Sequence, residues 1–167
     1  MAIVFKGRVF SVDVERRRFP NGQEHEVAIV RHPPSVVLLP IAEDGRLVLI
    51  RQYRPSIDRE IWEVPAGSVD AGESPDEAAA RECEEEIGLV PRRVERIRGL
   101  FPAPGFCSEE LIFYRVSDLQ KPPADSTRKP DEDEDIHSRT VTIDEARAMV
   151  ESGEIIDLKT AYGLTLL

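Results

Sequence analysis

The stretch from Ser74 to Gly88 constrains this chain more than any other segment. Ser74 can cap a helix, Pro75 takes the first helical position, and Glu77 completes a capping box. Gly88 supplies the stop. The pattern predicts a helix over about Pro75 to Ile87. At about 100° per residue, Glu82, Glu85 and Glu86 fall within roughly one third of its circumference. Ala79, Cys83 and Ile87 form the adjacent stripe, which is expected to pack on a sheet, and Glu84 points elsewhere.

Acids grouped in this way are locally unfavourable. Like charges at i,i+3 and i,i+4 cost roughly 0.2–0.5 kcal/mol per pair on a helix. They also crowd the last turns, where the macrodipole is already negative. At an effective dielectric near 20, two carboxylates about 5 Å apart repel by roughly 3 kcal/mol. Something positive must offset this, and Mg²⁺ fits best, because it takes carboxylate oxygens together with water and substrate phosphate. A Glu-rich helix on its own reads as a solvated acidic face. Here Val64-Pro65-Ala66-Gly67 ends a strand in glycine and Gly72-Glu73 precedes the cap, so the acids follow a strand and a glycine-bounded loop.

The rest of the chain is mostly strand. Val4 to Val14 and Glu24 to Arg31 flank Pro20-Asn21-Gly22, a hairpin signal, and Val36 to Ile41 and Leu47 to Tyr53 flank Asp44-Gly45, a second one. Further strands are expected at Ile61 to Val64, Val94 to Leu100, Leu111 to Val116 and Arg139 to Ile143. Gln120 to Pro130 reads as a polar loop. Asp144 is the expected cap of a helix ending near Glu151, and Asp157 to Leu167 a short terminal helix. The order is α+β rather than regular βαβ.

With 22 basic and 32 acidic residues among 167, the formal charge is −10. That speaks against a broad nucleic-acid footprint, which needs a basic stripe. It does not exclude an anionic substrate, since a divalent cation reverses the local sign. No apolar run approaches the roughly 20 residues of a membrane span, and the first residues lack a signal-peptide core. Cys83 and Cys107 give no disulfide framework or zinc spacing, so a cytoplasmic setting is expected.

Gly67, Glu73, Arg81-Glu82-Cys83, Glu85-Glu86 and Gly88-Leu89 together match the Nudix box. The one departure is Cys83, where an aliphatic residue is usual, and a buried Cys serves as a small hydrophobe. The chain resembles Nudix hydrolases, and within them the ADP-ribose pyrophosphatase branch. Arg51-Gln52-Tyr53-Arg54-Pro55 followed by Glu63-Val64-Pro65-Ala66-Gly67 is similar to that branch, as are Ala103-Pro104-Gly105-Phe106 and the acidic run Asp131-Glu132-Asp133-Glu134-Asp135.

The resemblance implies a Nudix fold: a mixed β-sheet sandwiched between helices over residues 32–167, with residues 1–31 an N-terminal β-hairpin region that serves as a dimerisation element. It implies Mg²⁺-dependent hydrolysis of ADP-ribose to AMP and ribose 5-phosphate, with Mn²⁺ as a substitute metal. Glu82, Glu86 and the carbonyl of Ala66 match the main metal ligands, with Glu85 a further ligand or a partner that supports them, and Glu85 and Arg81 count with the catalytic residues. Glu132 and Glu134 match the loop that supplies the base. Arg81 is expected to anchor carboxylates, Glu73 among them. Arg51, Arg54, Glu63, Pro104, Gly105 and Glu109 are candidate substrate-binding residues. Beside Glu109, Glu110 departs from the branch, which is often basic at that position.

Tyr53 and Trp62 could stack on adenine, though aromatics beside apolar strands are more often core. His25, His32 and His137 are read as non-ligands, and Cys107 as structural. Two other readings stay open: a Nudix hydrolase of another nucleoside diphosphate derivative (a nucleotide sugar, NADH or FAD), and a non-catalytic nucleotide sensor. The intact box acids speak against the sensor.

Overall fold

A computed structural model describes residues 2–128 and 136–167. The strands are β1 (Ala2–Lys6), β2 (Ser11–Arg18), β3 (Glu24–Arg31), β4 (Ser35–Pro40), β5 (Leu47–Arg54), β6 (Arg59–Glu63), β7 (Ala66–Ser68), β8 (Val90–Leu100), β9 (Leu111–Gln120) and β10 (His137–Val141). The helices are α1 (Pro75–Ile87), α2 (Ile143–Glu151) and α3 (Leu158–Gly163), the last running into a 3-10 turn at Leu164–Leu166. The α+β expectation is met. None of the described helices is long and apolar enough to cross a membrane.

A mixed four-stranded sheet, ordered β7-β4-β9-β8, forms the centre, and β4 runs parallel to β9. Every residue of β4 is buried, so the strand is apolar on both faces rather than alternating. Val36 and Leu38 meet Ile112, Tyr114 and Val116 on one face, where Ala78, Ala79 and Cys83 of α1 cover them. Val37 and Leu39 join Phe113 on the other face, under Leu47 and Leu49 of β5, Ala146 and Met149 of α2, and Leu164. Each fully buried aliphatic side chain contributes about 1.5–3 kcal/mol.

The antiparallel sheet β10-β5-β6 closes that second face. The turn at Asp44-Gly45 therefore differs from its predicted role. It keeps tight hydrogen bonds, Ala42 N to Arg46 O at 2.9 Å and Gly45 N to Ala42 O at 2.9 Å. Beyond the single bridge Ile41↔Leu47, however, its two strands part into different sheets. Both are apolar on two faces, and each satisfies its backbone with other partners.

Residues 2–31 form a third sheet, β1-β2-β3. Val4 to Val14 is not one strand, because the chain reverses between Gly7 and Phe10, with Gly7 N donating to Phe10 O at 2.9 Å. The predicted turn at Pro20-Asn21-Gly22 stands, and β2 pairs with β3 from Ser11↔Arg31 to Arg18↔Glu24. Val30 N to Phe106 O and Ser108 N to Val30 O, at 2.8 and 3.0 Å, join this sheet to the loop before β9. A second correction concerns α2. Thr142, not Asp144, is its cap, in a capping box with Glu145, since only a Thr-x-x-Glu spacing lets both side chains reach backbone N–H groups. β7, three residues long, had no sequence signal of its own.

Candidate active site

α1 forms as the sequence predicts. Ser74 accepts from Glu77 N, the Glu77 carboxylate accepts from Ser74 N, and Gly88 ends the helix in the left-handed region at φ 69°. Packing of Ala78, Ala79 and Cys83 on the central sheet fixes its rotation. Burial, aided by Glu86 and Glu84, pushes the Cys83 thiol up to about 12. That rotation brings Glu82 over β7, which pairs with β4 through Val36↔Gly67 and Val37↔Ala66. Gly67 is needed there for close approach: a Cβ at this position would lie 1.9 Å from Glu82 Oε1. The next residue back, Ala66, donates its N–H to Glu86 Oε2 at 3.0 Å. The glycine-bounded strand and the acidic helix thus meet edge to face.

Arg81 ties the acids together. Its Nε and Nη2 reach the two oxygens of Glu73 at 3.0 and 2.9 Å, and Nη2 also donates to Ser68 O at 3.0 Å. Nη1 reaches Glu82 Oε1 at 2.7 Å and Glu85 Oε2 at 2.8 Å. The bond to Glu73 above all holds the guanidinium well above its usual range and holds the Glu73 carboxyl below its own. One guanidinium facing three carboxylates leaves this group net negative. Glu82 is 9% and Glu86 5% exposed, so water relieves little of the repulsion.

These side chains border a cleft of about 1230 Å³. Glu82, Glu85, Arg81, Ala66 and Gly67 line one wall. Glu109 lines another, with Oε1 accepting from Ser35 Oγ at 2.8 Å and lying 3.6 Å from His32 Nδ1. Arg54 lies at the rim and forks onto both oxygens of Glu63 at 2.8 Å. Glu63 itself is fully buried and does not line the cleft. Lys159 Nζ also contacts Glu63, and it bonds Asp157 Oδ2 at 3.0 Å. Thr160 Oγ1 accepts from Val64 N at 2.8 Å, pinning α3 to the segment that leads into β7.

Other expected site residues lie elsewhere. Arg51 is outside the cleft lining and pairs with Glu60 at 2.7 Å. It is three positions from Arg54, so the strand points the two to opposite faces. Pro104 and Gly105 line a second cleft of about 430 Å³, against β2 and β3. Glu132 and Glu134 fall outside the described residues.

The sequence reading missed Lys159, Asp157 and Thr160, which stand 96 positions from their partners in the case of Lys159–Glu63 and Thr160–Val64. No local pattern announces such a contact. Phe101, which it did not single out, lines the cleft, as does His32, which it read as a non-ligand.

The donor set suits a hard divalent cation: carboxylates on one helix face, and a backbone carbonyl beside a glycine that leaves room for Glu82. Among the described residues, no three His, Cys, Asp or Glu side chains are already gathered to hold a metal. The geometry shows why for two of them, since Arg81 Nη1 stands between Glu82 and Glu85. A cation there would take over the neutralisation that Arg81 provides.

The model of the NUDIX domain family matches residues 31–159. The chain is 35% identical to the ADP-ribose pyrophosphatase of Bacillus subtilis (strain 168) over 98% of its length and 88% of that protein. It is 34% identical to the methanol dehydrogenase activator of Bacillus methanolicus, with the same coverage. It is 32% identical to the ADP-ribose pyrophosphatase of Mycobacterium tuberculosis, over 90% of this chain and 72% of that one. Among solved structures, an ADP compounds hydrolase superposes with a TM-score of 0.78 at 24% identity, covering 99% of this chain and 88% of that one, which speaks to the fold.

Proposed function

Because this chain belongs to the Nudix family, whose members hydrolyse pyrophosphate bonds with the help of divalent metals, we propose that it hydrolyses ADP-ribose to AMP and ribose 5-phosphate with Mg²⁺. The observation that carries the reading is that Glu82 and Glu85 line a cleft large enough for a nucleotide together with Ala66-Gly67, while the buried Glu86 accepts the Ala66 N–H beside them. ADP-ribose pyrophosphatases among the full-length relatives favour this substrate.

Glu82, Glu85, Glu86 and the Ala66 carbonyl would hold the metal. When bound, it supplies neutralisation of the pyrophosphate and acidification of the attacking water. The chain's own residues do the rest. Arg81 holds Glu82 and Glu85 in register and balances their charge until substrate arrives. Glu109, fixed by Ser35, offers a carboxylate to ribose hydroxyls. Arg54, oriented by Glu63, presents its outer face to a phosphate or a base. Glu132 or Glu134 takes the proton from the attacking water. Residues 1–31 serve as a dimerisation element, a role that suits the wholly exposed β1 with Ile3, Val4 and Phe5.

A product assay tests the reading. The purified protein is incubated with Mg²⁺ and ADP-ribose, NADH, FAD, UDP-glucose or GDP-mannose, and the products are separated by ion exchange, with Glu82→Gln alongside. AMP from ADP-ribose, lost in the variant, is the expected result. Faster cleavage of another diphosphate would overturn the substrate and keep the chemistry. Tight nucleotide binding without turnover would overturn the enzyme reading.

A further inference from the structure

Glu63 is a fully buried carboxylate that meets two cations. Arg54 forks onto it, Nε on Oε1 and Nη2 on Oε2, both at 2.8 Å. That fork by itself gives each oxygen a strong donor. Lys159, from α3, nevertheless donates to Oε2 as well. Asp157 Oδ2 offsets part of this second charge, at 3.0 Å from Lys159 Nζ, while it caps α3 by accepting from Thr160 N and Oγ1.

The four charges cancel, but they do not lie at the same depth. Arg54, Lys159 and Asp157 line the cleft, and Glu63 does not. The cleft therefore meets two cations and one carboxylate, with the balancing negative charge sealed behind them. The Lys159 side chain is only 12% exposed, so water screens it less than a surface lysine and an anion beside it is held more strongly. An ammonium carries three donors, and among the described residues two of them are engaged, on Glu63 and Asp157. Arg54 Nη1 is likewise outside the fork. This basic corner also stands within electrostatic reach of α1. Burial disfavours the charge on Arg54, yet its bonds to Glu63, and then the charges of Glu63, Glu86 and Asp157, hold it above its usual range. One cleft thus joins an acidic wall that suits a divalent cation to a corner that suits an anion. A metal on the acidic wall covers only some oxygens of a pyrophosphate, and each of the others needs a donor once it leaves water.

We propose that Lys159 is a substrate-binding residue: Glu63 holds Lys159 and Arg54 side by side as a two-cation clamp, which takes the pyrophosphate oxygens that the metal leaves uncovered. This role rests on the reading of the cleft as a nucleoside diphosphate site, and it extends that site to α3.

The test measures binding of ADP and of adenosine by calorimetry, in EDTA, to the parent protein, Lys159→Met and Asp157→Asn. Melting temperatures, and kcat and KM for ADP-ribose with Mg²⁺, are measured alongside. Methionine leaves the Arg54 fork on Glu63 in place, and asparagine keeps an oxygen for the cap of α3. Lys159→Met should bind ADP about tenfold more weakly, as the loss of one charge-assisted hydrogen bond predicts, with adenosine binding unchanged. Its KM should rise about tenfold while kcat changes little. Asp157→Asn should bind ADP severalfold more tightly, because Lys159 loses the carboxylate that competes for its charge; a purely structural role gives no such gain. Should Lys159→Met melt too low to assay, Asp157→Asn decides alone, and ADP binding no tighter than the parent's would overturn the clamp. Equal ADP binding in Lys159→Met and the parent would also overturn it, as would equal losses for ADP and adenosine, which would report a deformed cleft. A parent that cleaves ADP-ribose yet binds no ADP in EDTA would overturn the clamp and leave the proposed function standing. ADP binding that depends on Lys159, in a protein that cleaves no diphosphate, would keep the clamp and overturn the enzyme reading.

Discussion

Gly67 and Glu82 occupy the same space: a Cβ on Gly67 would stand 1.9 Å from Glu82 Oε1 and 2.4 Å from Oε2. The atoms in conflict are the far end of a flexible side chain rather than backbone. Gly67→Ala should therefore keep the fold and displace the carboxylate. Metal affinity, read by Mn²⁺ titration, is expected to fall about 10–100-fold, while the melting temperature moves by only a few degrees. Gly99→Ala is the matched control, because its Cβ would lie 1.9 Å from Glu110 Oε1, a carboxylate outside the proposed chemistry. Equal loss of metal affinity in both variants would sink the argument.

Arg81 serves three carboxylates at once, so Arg81→Met should cost about 3 kcal/mol of stability in the presence of a chelator, because breaking a buried network leaves charge uncompensated. Mg²⁺ should recover part of that loss by replacing the missing positive charge. The parent protein should gain about 2.7 kcal/mol at a metal concentration 100 times the dissociation constant. Denaturant melts with and without Mg²⁺ check both statements, and an Arg81→Met deficit that Mg²⁺ leaves unchanged would contradict them.

The capping boxes predict an acid-side stability loss. Bonds to Ser74 hold Glu77 below its ordinary value of 4.5, and the Thr142 backbone N–H, followed by its hydroxyl, does the same for Glu145. A depressed folded pKa contributes stability that is complete above the unfolded value and lost as pH falls through the folded one. Glu77→Gln/Glu145→Gln should thus be less stable than the parent at pH 7, and the gap should narrow below pH 4.5. Thermal melts from pH 7 to 3 test this, and a gap independent of pH would refute it.

The two thiols should react very differently. Cys83 is fully buried with its pKa pushed up to about 12, whereas Cys107 is half-buried. A thiol reagent at pH 8 should modify Cys107 in the native protein and reach Cys83 only on unfolding. Rapid native modification at Cys83, read by mass spectrometry, would show that α1 opens far more readily than its packing implies.

Much of this protein is written locally. Ser74, Pro75, Glu77 and Gly88 place α1 to the residue, because caps act over three or four positions and need no distant partner. The same chemistry lay in Thr142 and Glu145, where Asp144 drew the cap away by its composition alone. The spacing of Glu82, Glu85 and Glu86 fixes them on one helix face, since helical geometry is set by the backbone. Strand period also contained the separation of Arg51 from Arg54, although the reading grouped them.

What sequence could not decide is what meets what across the fold. Glu63 reads as a substrate contact beside Val64 and Pro65, yet Arg54 and Lys159 enclose it because α3 returns to the same place from the far end of the chain. The parting of β4 and β5 at Asp44-Gly45 likewise depends on β9 and β10, which take up their free edges. Local hydrogen bonding and helical period thus determined the acidic helix, its caps and its family. Long-range packing of two apolar faces decided which carboxylates face the cleft and which are enclosed by cations.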